Sequence, residues 1–82
     1  MSQSVPEGWA EVDGALEREF TLDSFPAAIQ FVDRLADAAE AANHHPWIGI
    51  DYKRVTVRWV THSEGGITDK DRDMAAQTSE LA

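Results

Sequence analysis

The chain has 82 residues, a formal net charge of −8 and no cysteine. We expect one domain over residues 1–82, with residues 1–7 as a short polar leader and a core small enough that self-association is the default state. The negative charge argues against direct nucleic-acid binding, and the lack of cysteine excludes disulfides and thiolate zinc sites. Neither a membrane-spanning stretch nor a signal peptide is present, which favours a cytoplasmic protein without membrane contact.

The first predicted element is a β-hairpin. Asp13-Gly14 tolerates the positive φ of a two-residue turn. It is flanked by one arm that begins at Trp9 and a second arm that runs from Ala15 to Leu22. Because apolar and polar residues alternate along the second arm, we expect one of its faces to be buried.

A helix is predicted next. Asp23 and Ser24 offer capping oxygens, and Pro26 is tolerated in a first helical turn. The apolar residues then change to helical spacing, which predicts a helix of about five turns that ends near Asn43. The predicted buried stripe consists of Phe25, Ala28, Ile29, Val32, Leu35, Ala36 and Ala39.

The second half of the chain repeats the order strand, strand, helix. Residues 47–52 and 55–61 are predicted strands, and residues 63–66 a loop. Thr68 and Asp71 form a capping-box pattern at the start of the last helix, whose apolar face would hold Met74, Ala75, Thr78 and Leu81.

These elements predict an α+β fold in the order ββαββα. The economical packing is a four-stranded antiparallel sheet with the helices packed on one face. The other face would then be partly apolar and available to another subunit.

All three histidines lie at predicted element boundaries. His44 and His45 come where a helix gives way to an extended segment before Pro46, and His62 closes a strand. An adjacent pair is weak evidence by itself, because neighbours in an extended segment point to opposite sides. Function concentrates at such element ends, however, and imidazole, with an unperturbed pKa of about 6.5, can both give and take a proton near neutral pH.

A zinc site is the competing use of His44, His45 and His62. The spacing argues against it, because adjacent residues do not easily aim both rings at one ion. Two acidic residues have alternative interpretations. Glu40 is equally well explained as solvated surface or as an orienter of an imidazole, and Asp71 is explained as the capping-box acid. The tryptophans are better explained by core or interface packing than as a stacking platform; they are Trp9, Trp47 and Trp59.

A set of residues lies at fixed spacing along the chain, namely Glu40, His44, His45, Pro46, Tyr52, His62 and Asp71, and it is flanked by Gly8-Trp9 and Thr61-His62. This pattern resembles the signature of the pterin-4a-carbinolamine dehydratases. The resemblance covers the chain from Gly8 onwards. It implies an α+β fold, homodimers or homotetramers, and no metal or organic cofactor.

The resemblance also implies an activity, the loss of water from 4a-hydroxytetrahydropterin to give quinonoid dihydropterin in tetrahydrobiopterin-type recycling. By the family's pattern, the pterin substrate would be lined by Asn43, His44, His45, Val60, Thr61, His62 and Ser63, with Glu40 and Asp71 in support. The alternative is a dehydratase-like module that binds a partner protein during assembly or dimerisation.

The reaction needs one proton donor and one proton acceptor. We assign these roles jointly to His44 and His62, and we expect His45 mainly to hold the ring. Which of the two is the acid stays open at this point.

Overall fold

The structure is a computed structural model, and it describes residues 5–82. Its elements follow the predicted order ββαββα. They are β1 Ala10–Val12, β2 Ala15–Thr21, α1 Phe25–Ala42, β3 Trp47–Asp51, β4 Arg54–Trp59, a short 3₁₀ turn His62–Glu64, and α2 Asp69–Leu81. The predicted fold class is therefore confirmed.

The four strands form one antiparallel sheet in the order β1-β2-β4-β3. In the register, Leu16 lies opposite Trp59, Phe20 opposite Val55, and Ile48 opposite Val57. Since side chains alternate across a strand, these residues share one face. Both helices pack on that face, which we call the helix side. We call the opposite face of the sheet the open side.

The hairpin turns explain where the strands end. Asp13 and Gly14 have φ values of 51° and 81°, so the predicted turn is confirmed. Tyr52 was predicted to end the third strand, but its φ of 58° places it in the turn to β4. The predicted fourth strand also extends too far, because β4 ends at Trp59.

The first helix begins and ends at its predicted caps. The Ser24 hydroxyl accepts from the Ala27 N–H at 3.2 Å, and Asn43 stops the helix with a left-handed φ of 53°. The predicted stripe was partly wrong, because Phe31 is fully buried while Phe25 and Ala36 are exposed. The buried positions, Ala28, Phe31, Leu35 and Ala39, follow the helical period with Phe31 included.

The second helix closes the core over the sheet. Met74, Ala75 and Thr78 are buried, and the Thr78 hydroxyl accepts from the Trp59 indole N–H at 3.1 Å. Within residues 5–82, no helix combines the length and apolarity needed to cross a membrane.

Candidate active site

The three histidines lie at one end of the β3-β4 pair. Trp47, the first residue of β3, lies opposite Arg58 near the end of β4. Because the two strands are antiparallel, the segment before β3 and the segment after β4 leave the sheet at the same end. The first segment carries His44 and His45, and the second carries His62.

His44 lies on the helix side of the sheet. Its ring stacks on Trp59 with ring centres 5.3 Å apart and planes inclined by 26°, and its Nε2 is 2.6 Å from Oδ1 of Asp71. The backbone N–H of His44 donates to the Ala39 carbonyl at the end of α1. The side chain is only 11 % exposed, so its ring is held in one orientation.

Asp71 is completely buried at the start of α2. While Oδ1 faces His44, Oδ2 accepts from the Thr61 hydroxyl at 2.6 Å and from the Thr68 N–H at 2.9 Å. The predicted capping box is thus confirmed. Burial raises the pKa of Asp71, but hydrogen bonds from His44, Thr61 and Thr68 outweigh it and hold that pKa below its usual value.

His45 belongs to the opposite face. Its Nε2 is 3.0 Å from Oε1 of Glu40, and both side chains are more than half exposed. Glu40 has features of both interpretations, because it contacts an imidazole and is also exposed to solvent. An exposed pair of this kind contributes little to stability.

A groove of about 540 Å³ lies on the open side, beside the histidines. It is lined by His45, Trp47, Val60 and His62 at the strand ends, together with Glu17, Thr56 and Arg58 from the strands. Arg58 donates to Glu17 at 2.6 Å, and both side chains are about one-third exposed or less. The groove therefore combines imidazoles, an indole and one ion pair.

The other residues of the expected pterin site are distributed around these groups. Thr61 turns inward to Asp71, Asn43 caps α1, and Ser63 lies in the 3₁₀ turn. His44 does not line the groove, because it packs on the helix side of the same segment.

The rings of His44 and His45 therefore lie on opposite faces of the sheet, which does not fit the zinc alternative. In the described part of the chain, no group of three or more histidine, cysteine, aspartate or glutamate side chains is arranged to hold a metal ion.

Four of the groove residues were not predicted as site residues from the sequence: Glu17, Trp47, Thr56 and Arg58. Their signal was present in the strand alternation, since each occupies the face opposite to the side chains that face the helices, which are Leu16, Phe20, Ile48, Val55 and Val57. It was not usable without the register, which alone shows that residues from β2, β3 and β4 become neighbours.

Comparison with known proteins gives consistent results. The family model described as pterin 4 alpha carbinolamine dehydratase matches residues 1–81. A protein of Herpetosiphon aurantiacus is 53 % identical over 68 residues, which cover 83 % of this chain and 71 % of that protein. One of Nocardia farcinica is 48 % identical over 80 residues, covering 98 % and 83 %. Both are named "Putative pterin-4-alpha-carbinolamine dehydratase".

Two solved structures share the fold. A transcriptional coactivator/pterin dehydratase from Brucella melitensis has a TM-score of 0.88 and 38 % identity, covering 93 % of this chain and 83 % of its own. A pterin dehydratase-like protein identified as a RuBisCO assembly factor in the alpha-carboxysome has a TM-score of 0.79 at 24 % identity, covering 99 % and 96 %, and this likeness concerns the fold alone. The match of the family model and the identities of these relatives show that the chain belongs to the pterin 4 alpha carbinolamine dehydratase family.

Proposed function

We propose that this protein is a cytoplasmic dehydratase that removes water from 4a-hydroxytetrahydropterin and releases quinonoid dihydropterin, in tetrahydrobiopterin-type cofactor recycling. The observation that carries the proposal is the gathering of all three histidines at one end of β3 and β4, with His44 fixed by the buried carboxylate of Asp71. Membership of the family supports the same reaction class.

The reaction is a balanced pair of proton transfers. One group protonates the 4a-hydroxyl so that the C4a–O bond breaks and water leaves, and another group accepts the proton from N5. We propose that His44 and His62 share these two roles. Asp71 acts through His44 as a positioning residue, because its short hydrogen bond fixes which nitrogen of the ring is engaged.

This assignment of His44 and His62 restricts where the substrate can lie. His62 faces the groove, whereas His44 stacks against Trp59 at the other face. The pterin must therefore lie across the end of β3 and β4, where the segment before β3 passes from one face to the other. There we propose that His45, supported by Glu40, holds the ring, and that the neighbouring contacts come from Asn43, Val60, Thr61 and Ser63.

The direct test is a dehydration assay with chemically prepared 4a-hydroxytetrahydropterin, measured against the uncatalysed reaction. We expect the wild-type protein to accelerate the loss of water and His62→Ala to lose most of that acceleration while keeping its circular dichroism spectrum. A wild-type protein that gives no acceleration would refute the proposed activity and favour the alternative of a protein-binding module.

We also propose that the reaction needs no metal or organic cofactor, since it consists of proton transfers that imidazoles can perform. Dialysis against a strong chelator should leave the rate unchanged. A rate that is lost on dialysis and restored by zinc would contradict this.

Self-association forms a further part of the proposal, as a homodimer or homotetramer. β3 is an edge strand, and an exposed edge can pair with another chain. Ile50 and Tyr52 add exposed apolar surface, at 43 % and 66 % exposure. Sedimentation at micromolar concentration should therefore report at least a dimer, and a stably folded monomer would exclude it.

A further inference from the structure

The tryptophan at the start of β3 differs from the other two. Trp9 is 7 % exposed and Trp59 is fully buried, but Trp47 is 59 % exposed. Their indole N–H groups also differ, since those of Trp9 and Trp59 donate to Ser79 and Thr78. Trp47 therefore needs an explanation other than core packing.

Gly49 determines how the Trp47 ring lies. Two residues apart on a strand, Trp47 and Gly49 share the open side. A Cβ atom at Gly49 would lie 2.6 Å from Cη2 and 2.9 Å from Cζ3 of the indole, so the ring occupies the space that a side chain would fill. Glycine is needed at this position because a side chain would overlap the indole, and not because of its backbone conformation. The indole is thus laid along its own strand.

The surroundings of the indole match a flat polar heterocycle. Trp47 forms one wall of the groove that also contains His45 and His62. Arg58 lies opposite Trp47 in the sheet register and is paired with Glu17. A planar ligand in this groove would have an aromatic surface on one side and hydrogen-bonding groups at its edge, which is the usual composition of a small-molecule site.

We propose that Trp47 is the stacking surface for the fused ring of the substrate, and that Gly49 allows the indole to take this position. This inference rests on the proposed function. Carbon 4a of the substrate is tetrahedral, so its hydroxyl projects from one face of the ring. A pterin that stacks on the indole through its other face turns this hydroxyl away from Trp47 and leaves it accessible to a proton donor.

The test is a binding titration followed by NMR, using the stable compound pterin (2-amino-4-oxopteridine) as the probe. The chain has three indole N–H signals, one for each tryptophan. We expect pterin to shift the Trp47 signal strongly, because it stacks on that ring, and to leave the buried Trp9 and Trp59 signals nearly unchanged. Trp47→Phe and Trp47→Ala assign the signal.

Affinity provides the second readout. Stacking of a base on an aromatic side chain is typically worth about 1–3 kcal/mol, so Trp47→Ala should weaken pterin binding by roughly fivefold to 150-fold. Trp47→Phe should lose less, since it keeps a flat ring. Gly49→Ala should also weaken binding because its methyl group displaces the indole. Phe25→Ala, which removes an exposed aromatic from the start of α1 and outside the groove, should bind pterin as the wild type does.

The outcomes separate this inference from the proposed function. If the wild-type protein binds pterin and dehydrates the substrate while the Trp47 signal stays in place, or if folded Trp47→Ala binds pterin normally, only the stacking role is wrong. If the wild-type protein neither binds pterin nor dehydrates the substrate, both proposals fail. A Trp47 signal that moves with protein concentration but not with pterin would overturn the inference and identify an interface between copies of the chain.

Discussion

Polar side chains are buried and hydrogen-bonded on one side of the sheet and exposed to water on the other. On the helix side, the buried Asp71 and Thr78 have hydrogen-bond partners supplied by residues distant in the chain. On the open side, the ion pair Glu17-Arg58 is partly exposed to water, and Asp51-Arg54 is more than half exposed. Throughout residues 5–82, no buried side-chain nitrogen or oxygen lacks a partner.

This contrast explains how two adjacent histidines can have different tasks. His44 turns to the helix side, where Asp71 and Trp59 fix its ring. His45 turns to the open side, where its ring nitrogen lies 3.0 Å from the exposed carboxylate of Glu40. A ring held in one orientation suits a proton transfer that depends on geometry, and an exposed ring suits contact with an incoming ligand. The two adjacent histidines thus divide the tasks of proton transfer and ligand contact.

The largest effect is expected for the histidines. His44→Ala should lower kcat by about a hundredfold to ten-thousandfold, the usual contribution of a general acid or base. His45→Ala should act mainly on KM, because it is expected to hold the ring. Steady-state kinetics of the dehydration reaction measure both. His44→Gln is the matched control, since its amide can still donate to Asp71 but cannot transfer protons. A folded His44→Ala variant with full kcat would contradict the division.

The next effect concerns the stability of the helix side. Asp71→Ala leaves the Thr61 hydroxyl and the Thr68 N–H without their acceptor and removes the partner of His44. Losing a buried charged acceptor of this kind should cost roughly 3 kcal/mol of unfolding free energy. Urea denaturation at pH 7 measures it. Asp71→Asn should lose less because the amide keeps one oxygen acceptor.

The same variants predict a pH dependence. The pKa of Asp71 is depressed in the folded state, whereas an unfolded aspartate has a pKa of about 3.9. The ionised carboxylate therefore stabilises the fold at pH values above 3.9, and this contribution is lost as the pH falls through the depressed pKa. The difference in unfolding free energy between wild type and Asp71→Asn should be largest near pH 7 and shrink towards pH 3. A constant difference would show that the charge does not matter.

The helix side was also the more predictable side. Val55, Val57 and Trp59 alternate along one strand, and Thr68 and Asp71 are only three positions apart, so local patterns were enough to place them. The contact between His44 and Asp71 spans 27 positions. Nothing local distinguishes a capping aspartate from one that also binds a histidine.

The open side was predicted least well, for a physical reason. Its groove takes Glu17 from β2, Trp47 from β3 and Arg58 from β4. Each looks like an ordinary outward-facing residue of a strand. Only the register of the strands brings them together, and turn conformations such as that of Tyr52 help to fix that register.

A smaller effect is expected where the amino-terminal segment meets the helix side. Gly8 has a φ of +89°, and a Cβ atom there would lie 2.6 Å from Nη1 of Arg18. Arg18 would have to move, although it donates to Ser79 and lies over the Phe20 ring. We expect Gly8→Ala to lower the free energy of unfolding by about 2 kcal/mol. One part of this loss comes from the backbone conformation and the other from the lost hydrogen bond.

Gly14 provides the matched control for this prediction. Its φ is +81°, but no atom lies within 4 Å of a Cβ atom built there. Gly14→Ala should therefore lower the free energy of unfolding only by the conformational contribution, about 1 kcal/mol. Thermal denaturation of both variants measures the difference, and equal losses would show that the contact with Arg18 is unimportant.

The smallest effect is expected on the open side, for the ion pair between Glu17 and Arg58. Its charged atoms are 2.6 Å apart, but the side chains remain 31 % and 27 % exposed, so water competes for the pair. Arg58 also donates to the Val12 carbonyl, which Arg58→Ala would remove as well. A double-mutant cycle with Glu17→Ala and Arg58→Ala cancels that separate loss, because it isolates the energy shared by the two side chains.

We expect the coupling between Glu17 and Arg58 to be about 0.5–1 kcal/mol and to fall as salt is added, as is usual for partly exposed pairs. Asp69 and Arg72, an ion pair on the surface of α2 whose carboxylate is 88 % exposed, give the matched control, for which the coupling should be smaller. Chemical denaturation of the four proteins of each cycle at low and high salt provides the measurement. A coupling above about 2 kcal/mol that salt does not change would mean that the open side holds its charges as firmly as the helix side does, and the division between a fixed face and a ligand-facing one would have to be abandoned.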